Sequence, residues 1–120
     1  MALLVTAQLT NNTVTPNETI GVSSLSVTPA GTHEQSGRVT IGTTEESIAV
    51  HADIGTTGFL MVINRDPTNF VQIGYATTVY FAKLLAGYPM LLPLDNSVST
   101  IYLKADTANC QVEYKLFESA

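Results

Sequence analysis

Apolar residues in this chain come in short runs separated by Gly, Pro, Asn and Asp, which is the pattern of strands joined by tight reversals. Leu3, Val5, Ala7 and Leu9 alternate with Leu4, Thr6, Gln8 and Thr10, the period of a half-buried strand. A turn cluster from Asn11 to Glu18 follows. Between Thr19 and Val27 the apolar phase slips, with Ile20 and Val22 on one parity, Leu25 and Val27 on the other, and Ser23-Ser24 between. Such a slip predicts a bulge or a strand changing sheets. Pro29 to Gly37 is the longest polar stretch and reads as an exposed loop.

The centre of the chain is Gly58 to Leu94. In Phe59-Leu-Met-Val-Ile63 both parities are apolar, so this strand is expected to be covered on both faces, inside a sandwich or under a subunit contact. Asp66-Pro67 favours turn initiation, and Asn69 is suited to a left-handed backbone. Strands are expected over Phe70–Tyr75 and Val79–Leu85, with a reversal at Ala86-Gly87. Met90–Leu94, bracketed by Pro89 and Pro93, should be short or at an edge, because proline donates nothing to a ladder. Further strands are expected over Arg38–Gly42, Glu46–His51 and Thr100–Ala105. The last strand alternates most cleanly, with Cys110, Val112, Tyr114 and Leu116 on one face and Gln111, Glu113 and Lys115 on the other. About nine or ten short strands, and no amphipathic helix, define an all-β, single-domain antiparallel β-sandwich or jelly roll spanning 1–120.

Composition narrows the function more than any motif does. Charged residues are 12% of the chain, about half the ~25% of an ordinary soluble domain. A surface of Thr, Ser, Asn and Gly has little electrostatic self-repulsion and few long side chains to immobilise, which suits permanent association. A net charge of −5 with five Lys and Arg offers no basic patch, so nucleic acid is not an expected partner. No apolar run approaches the ~20 residues of a membrane span, and the N-terminal apolar run falls short of the ~7–15 of a signal peptide, so synthesis and retention in a cytosol are expected.

Candidate chemistry is sparse. His33 and His51 have no partner at metal spacing, and His51-Ala-Asp53 reads as a turn with solvated polar groups. Glu45-Glu46 reads as turn charge, since neighbours on a strand point to opposite faces. Cys110, the one cysteine, falls on a core face and is a small buried hydrophobe. No Gly-rich phosphate loop and no nucleophile elbow is present. The expectation is a non-enzymatic protein with no catalytic residue, no metal and no cofactor.

One resemblance extends over about the last half of the chain. A strand ending in Asn64 runs into Asp66-x-Thr68-Asn69; Leu84, Ala86 and Gly87 form a reversal; Leu103, Ala105 and Ala108 precede the last strand. This resembles a group of small virion proteins of tailed bacteriophages, from which the chain departs at Tyr88, where an acidic residue would be expected. The resemblance implies a capsid decoration (cement) protein of the virion, self-associating as a homotrimer and binding the major capsid protein. A neck or tail component, or a receptor- or glycan-binding module, is the alternative. The candidate partner-binding residues are Leu3, Leu4 and Val5 on a docking strand over 1–10, His33 and Glu34 in the 29–37 loop, and Tyr88 in the Gly87-Tyr-Pro89 turn.

Overall fold

The computed structural model describes residues 3–11, 18–27 and 33–118. Its regular elements are all strands: β1 Leu3–Asn11, β2 Glu18–Val27, β3 Glu34–Ile41, β4 Glu46–Ala49, β5 Thr57–Asn64, β6 Val71–Gly74, β7 Ala82–Leu84, β8 Pro89–Pro93, β9 Thr100–Ala105 and β10 Cys110–Glu118. β1 and β2 form a separate two-stranded sheet. The other eight strands form two four-stranded antiparallel sheets, in the orders β3-β10-β5-β8 and β4-β9-β6-β7.

The pairing is nested. β3 pairs with β10, β4 with β9, β5 with β8 and β6 with β7. The chain from Glu34 to Glu118 is therefore one long antiparallel ribbon whose tip is the β6–β7 turn. Two further ladders, β10 with β5 and β9 with β6, fasten the ribbon to itself. Apart from the tip, every connection within the ribbon carries the chain from one sheet to the other. The result is a β-sandwich-like arrangement, with Leu60, Val62, Val112 and Leu116 of one sheet sharing a core with Val71, Ile73, Ile101 and Leu103 of the other. Each of these side chains is essentially fully buried, the condition under which apolar burial stabilises most.

Alternation decides which side chains enter that core. Leu60, Val62 and Asn64 of β5 point inward, and Cys110, Val112 and Leu116 of β10 do the same, as the period-2 pattern requires. β8 lies at a sheet edge, as its two prolines predict. The bulge falls at Ser23-Ser24, because Val5 pairs with Leu25 and Ala7 with Val22, leaving two residues of β2 opposite Thr6.

Three expectations are corrected. β3 begins at Glu34, so Glu34–Gly37 belong to a strand and not to a loop; their polarity reflects an edge strand paired on one side only, to β10. Residues 29–32 of that expected loop lie outside the described residues. The strand expected over Val79–Leu85 is only Ala82–Leu84, because Val79 and Ala76 form a bridge within a turn that folds back on the sheet. The left-handed backbone expected at Asn69 is found instead at Thr78, with φ 60°.

Candidate interaction face

The alternation that buries Leu60 and Val62 sends Phe59, Met61 and Ile63 to the outer face of β3-β10-β5-β8. The register sets Phe117 beside Phe59 and Leu91 beside Met61. These five side chains form the apolar floor of an open groove of about 750 Å³, whose rim includes Arg38, Glu113, Lys115 and, from the separate sheet, Thr6. Met61 is 37% exposed, and the other four are half-buried. Two of the three rim charges sit in ion pairs: Arg65 reaches Glu113 at 3.4 Å and Lys115 reaches Glu34 at 4.0 Å. Exposed pairs of this kind contribute little to stability. With Arg38 they make a charged rim around an apolar floor.

A second exposed apolar group occupies the ribbon tip. Tyr75 and Phe81 have ring centroids 4.9 Å apart at 41°, beside Val79, which is 63% exposed. Gly74 makes this possible. A Cβ there would lie 1.9 Å from the Val79 carbonyl oxygen, so only glycine lets the tip fold down on the sheet. Glu45 holds the tip from the other side, accepting hydrogen bonds from the Thr78 amide at 2.7 Å and from the Tyr80 hydroxyl. Those bonds, Tyr80's first, keep the Glu45 carboxyl below its ordinary range, and the same contact pushes the Tyr80 phenol up to about 12. Adjacent carboxylates at a turn gave no sign of this clamp, because its other half lies on a distant turn.

Part of the motif behind the phage resemblance, Asp66, Asn69, Leu84 and Gly87, meets around Asn64, which is fully buried. Its Nδ2 donates to the carbonyls of Asn69, Leu84 and Leu85, and its Oδ1 accepts the Asp66 amide. Asp66 in turn accepts the amides of Thr68 and Asn69, which holds its carboxyl below the usual range. The Gly87 amide donates to the Asn64 carbonyl, and Gly87 has φ 79°, a backbone that glycine adopts at no steric cost. In this chain the motif fastens the 64–69 turn to the β7–β8 connection.

The six candidate partner-binding residues are not brought together. Leu3, Leu4 and Val5 lie in β1 opposite Val27, Ser26 and Leu25, their side chains outside the described part. His33 and Glu34 stand where β3 begins, with His33 Nδ1 3.4 Å from a Glu118 oxygen. Tyr88, 52% exposed, lies at the opposite end of the same sheet, since its carbonyl accepts the Asn64 amide whereas Glu118 pairs with Thr57. The length of β5 separates the two ends. A shallow pocket of about 480 Å³ runs between His33, His51 and Asp53. Among the described residues no group of three or more His, Cys, Asp or Glu is placed to hold a metal, and no helix is long and apolar enough to cross a membrane. Cys110 is buried, which pushes its thiol up. The both-parity apolar pattern of Phe59–Ile63 predicts cover on both faces, from a sandwich or from a subunit contact; within the chain only the Leu60 and Val62 face is fully covered.

No family model, no curated protein and no solved structure matches this chain.

Proposed function

We propose that this chain is a structural protein of a tailed-bacteriophage virion: a capsid decoration protein, made in the bacterial host cytoplasm, that assembles as a homotrimer and binds major capsid subunits on the outer shell. It carries no catalytic activity and no cofactor. The observation that bears most weight is the apolar floor of Phe59, Met61, Ile63, Leu91 and Phe117 on a chain of low charge, because contiguous exposed apolar surface of this kind marks interaction sites. The nested strand order adds to it. We read it as a jelly roll, an architecture recurrent in viral capsid and lectin domains, although fold alone is an analogy and does not carry function.

The mechanism is repetition. An interface of on the order of 1,200–2,000 Å², made without a covalent bond at many places on a shell, adds up to resistance against internal pressure. Purified protein is expected to bind expanded heads and raise their rupture temperature. Unchanged rupture at saturating occupancy defeats the cementing role.

The exposed Tyr75–Phe81 pair favours a second reading, a glycan- or receptor-binding module, since paired aromatic rings serve as sugar platforms. Binding to host polysaccharide without affinity for heads would select it. A neck or tail part is separated by copy number in the virion, about a dozen or fewer against hundreds for decoration.

A further inference from the structure

We infer that the groove on the outer face of β3-β10-β5-β8 binds a single-chain anionic amphiphile, a free medium-chain fatty acid, with its carboxylate at Arg38 and its alkyl chain along Phe59, Met61 and Ile63. This ligand goes beyond the virion reading and contends for the same apolar floor as the self-association proposed above.

Register divides this face into two halves. Arg38 of β3 stands opposite Glu113 of β10, and Glu113 stands opposite Ile63 of β5. Two residues along, Ser36 is opposite Lys115, Lys115 is opposite Met61, and Met61 is opposite Leu91. Because alternate residues share a face, the groove is polar on its β3 side and apolar on its β5–β8 side. A ligand that suits both sides has a polar head joined to an apolar body.

The charges fix the sign of that head. Arg38, Lys115 and Glu113 line the groove, two cations against one anion, on a chain whose net charge is −5. Glu113 is held by Arg65 at 3.4 Å, and Lys115 reaches Glu34 at 4.0 Å. Arg38 is in none of the ion pairs formed among the described residues. The surplus charge at the polar edge is therefore a guanidinium, whose planar fork of N–H donors matches a carboxylate.

Size and shape select a single alkyl chain for the body. The groove holds about 750 Å³, inside the range of about 300–1,000 Å³ usual for small-molecule sites, which are mostly apolar with a few placed polar groups. Its apolar side runs from Phe59 to Ile63, about 13 Å at the rise of a strand, the reach of a medium alkyl chain. Thr6 adds a wall from the separate sheet, so the site is concave. Met61, midway along it, is 37% exposed and gains cover from the chain that settles there.

Calorimetric titration of the purified chain with dodecanoate, kept below its micelle concentration, tests this. Binding should saturate at one ligand per chain. Arg38→Gln should weaken it about tenfold, as the loss of a hydrogen bond to a charged group would, whereas Lys83→Gln, which removes a cation from the other sheet, should leave it unchanged. Dodecyltrimethylammonium, with the same tail and the opposite charge, should not saturate the wild-type chain. No saturation by dodecanoate overturns the inference, and so does equal affinity for the cationic amphiphile. Equal weakening by the two variants also overturns it, since a general charge effect then replaces the Arg38 site. Light scattering on the same samples reads self-association separately, so that failure of either idea leaves the other standing.

Discussion

The Tyr80 hydroxyl donates to the carboxylate of Glu45, thirty-five residues earlier in the chain, and so fastens the ribbon tip to the β3–β4 connection. The contact sets a pH window. Tyr80's pKa in the fold, about 12, lies above its ordinary value near 10. Its contribution to stability is therefore complete below pH 10 and is lost as pH rises through about 12. Ultraviolet titration of phenolate should show a tyrosine ionising near 12 that disappears in Tyr80→Phe. A Tyr80 titrating near 10 would mean that the clamp is open in solution.

At the acid end the sign is reversed. Glu45, Asp66 and Asp95 all have carboxyls held low in the fold, chiefly by the hydrogen bonds from Tyr80, Asn69 and Ser97 respectively. Their contributions are present above the ordinary carboxylate range and fall away as pH drops through the lowered values. Thermal melts between pH 7 and 2 should show this decline, and the double variant Glu45→Gln, Asp66→Asn should show a shallower one. Equal slopes would remove these two groups as its source.

Replacing Asn64 by Ala should cost about 2–4 kcal/mol. The change removes one donor each from the carbonyls of Asn69, Leu84 and Leu85 and opens a cavity beside them. Asn64→Asp should cost at least as much, because it sets carboxylate oxygen against those same carbonyls. Urea midpoints at constant slope measure both, and a loss under 1 kcal/mol for Asn64→Ala would show that the turn holds without it.

Two substitutions five residues or fewer apart should act in opposite directions. Gly74→Ala drives a Cβ into the Val79 carbonyl and should destabilise by about 3 kcal/mol. Thr78→Gly relieves a left-handed backbone and should stabilise by about 1 kcal/mol, since a β-branched residue is costly there. Urea unfolding of the two single variants checks the pair; a stabilising Gly74→Ala would mean that the tip does not rest on the sheet.

Met61→Glu should leave folding stability within about 0.5 kcal/mol, as expected for a surface position. It should abolish self-association, because the charge stands at the centre of the apolar floor. Light scattering beside a urea melt separates the two effects, and an intact oligomer would move the interface elsewhere.

Strand positions were legible wherever one face is buried and the other is wet. β10 reads directly from Cys110 to Leu116, and β8 reads from its prolines. The start of β3 is hidden because Glu34–Gly37 lie on an edge, where polar residues suffice on both faces. The tip is hidden for a different reason. Val79-Tyr-Phe81 has the composition of a strand, but Glu45 and the bare backbone of Gly74 draw it into a turn, and neither is a local signal. Asn64 is legible as punctuation and not as a buried polar anchor, since the two carbonyls that tie it to the β7–β8 connection lie twenty and twenty-one residues away.

The edge formed by β8 limits what the protein can become. The Leu94 amide bonds the Gly58 carbonyl, so the even-numbered amides of this strand turn toward β5 and the free side is left to Pro89, Leu91 and Pro93. Two of those three have no N–H to offer an incoming strand. A strand arriving at this border therefore finds one outward amide where an ordinary edge would offer three, and β8 is a poor template for extending the sheet.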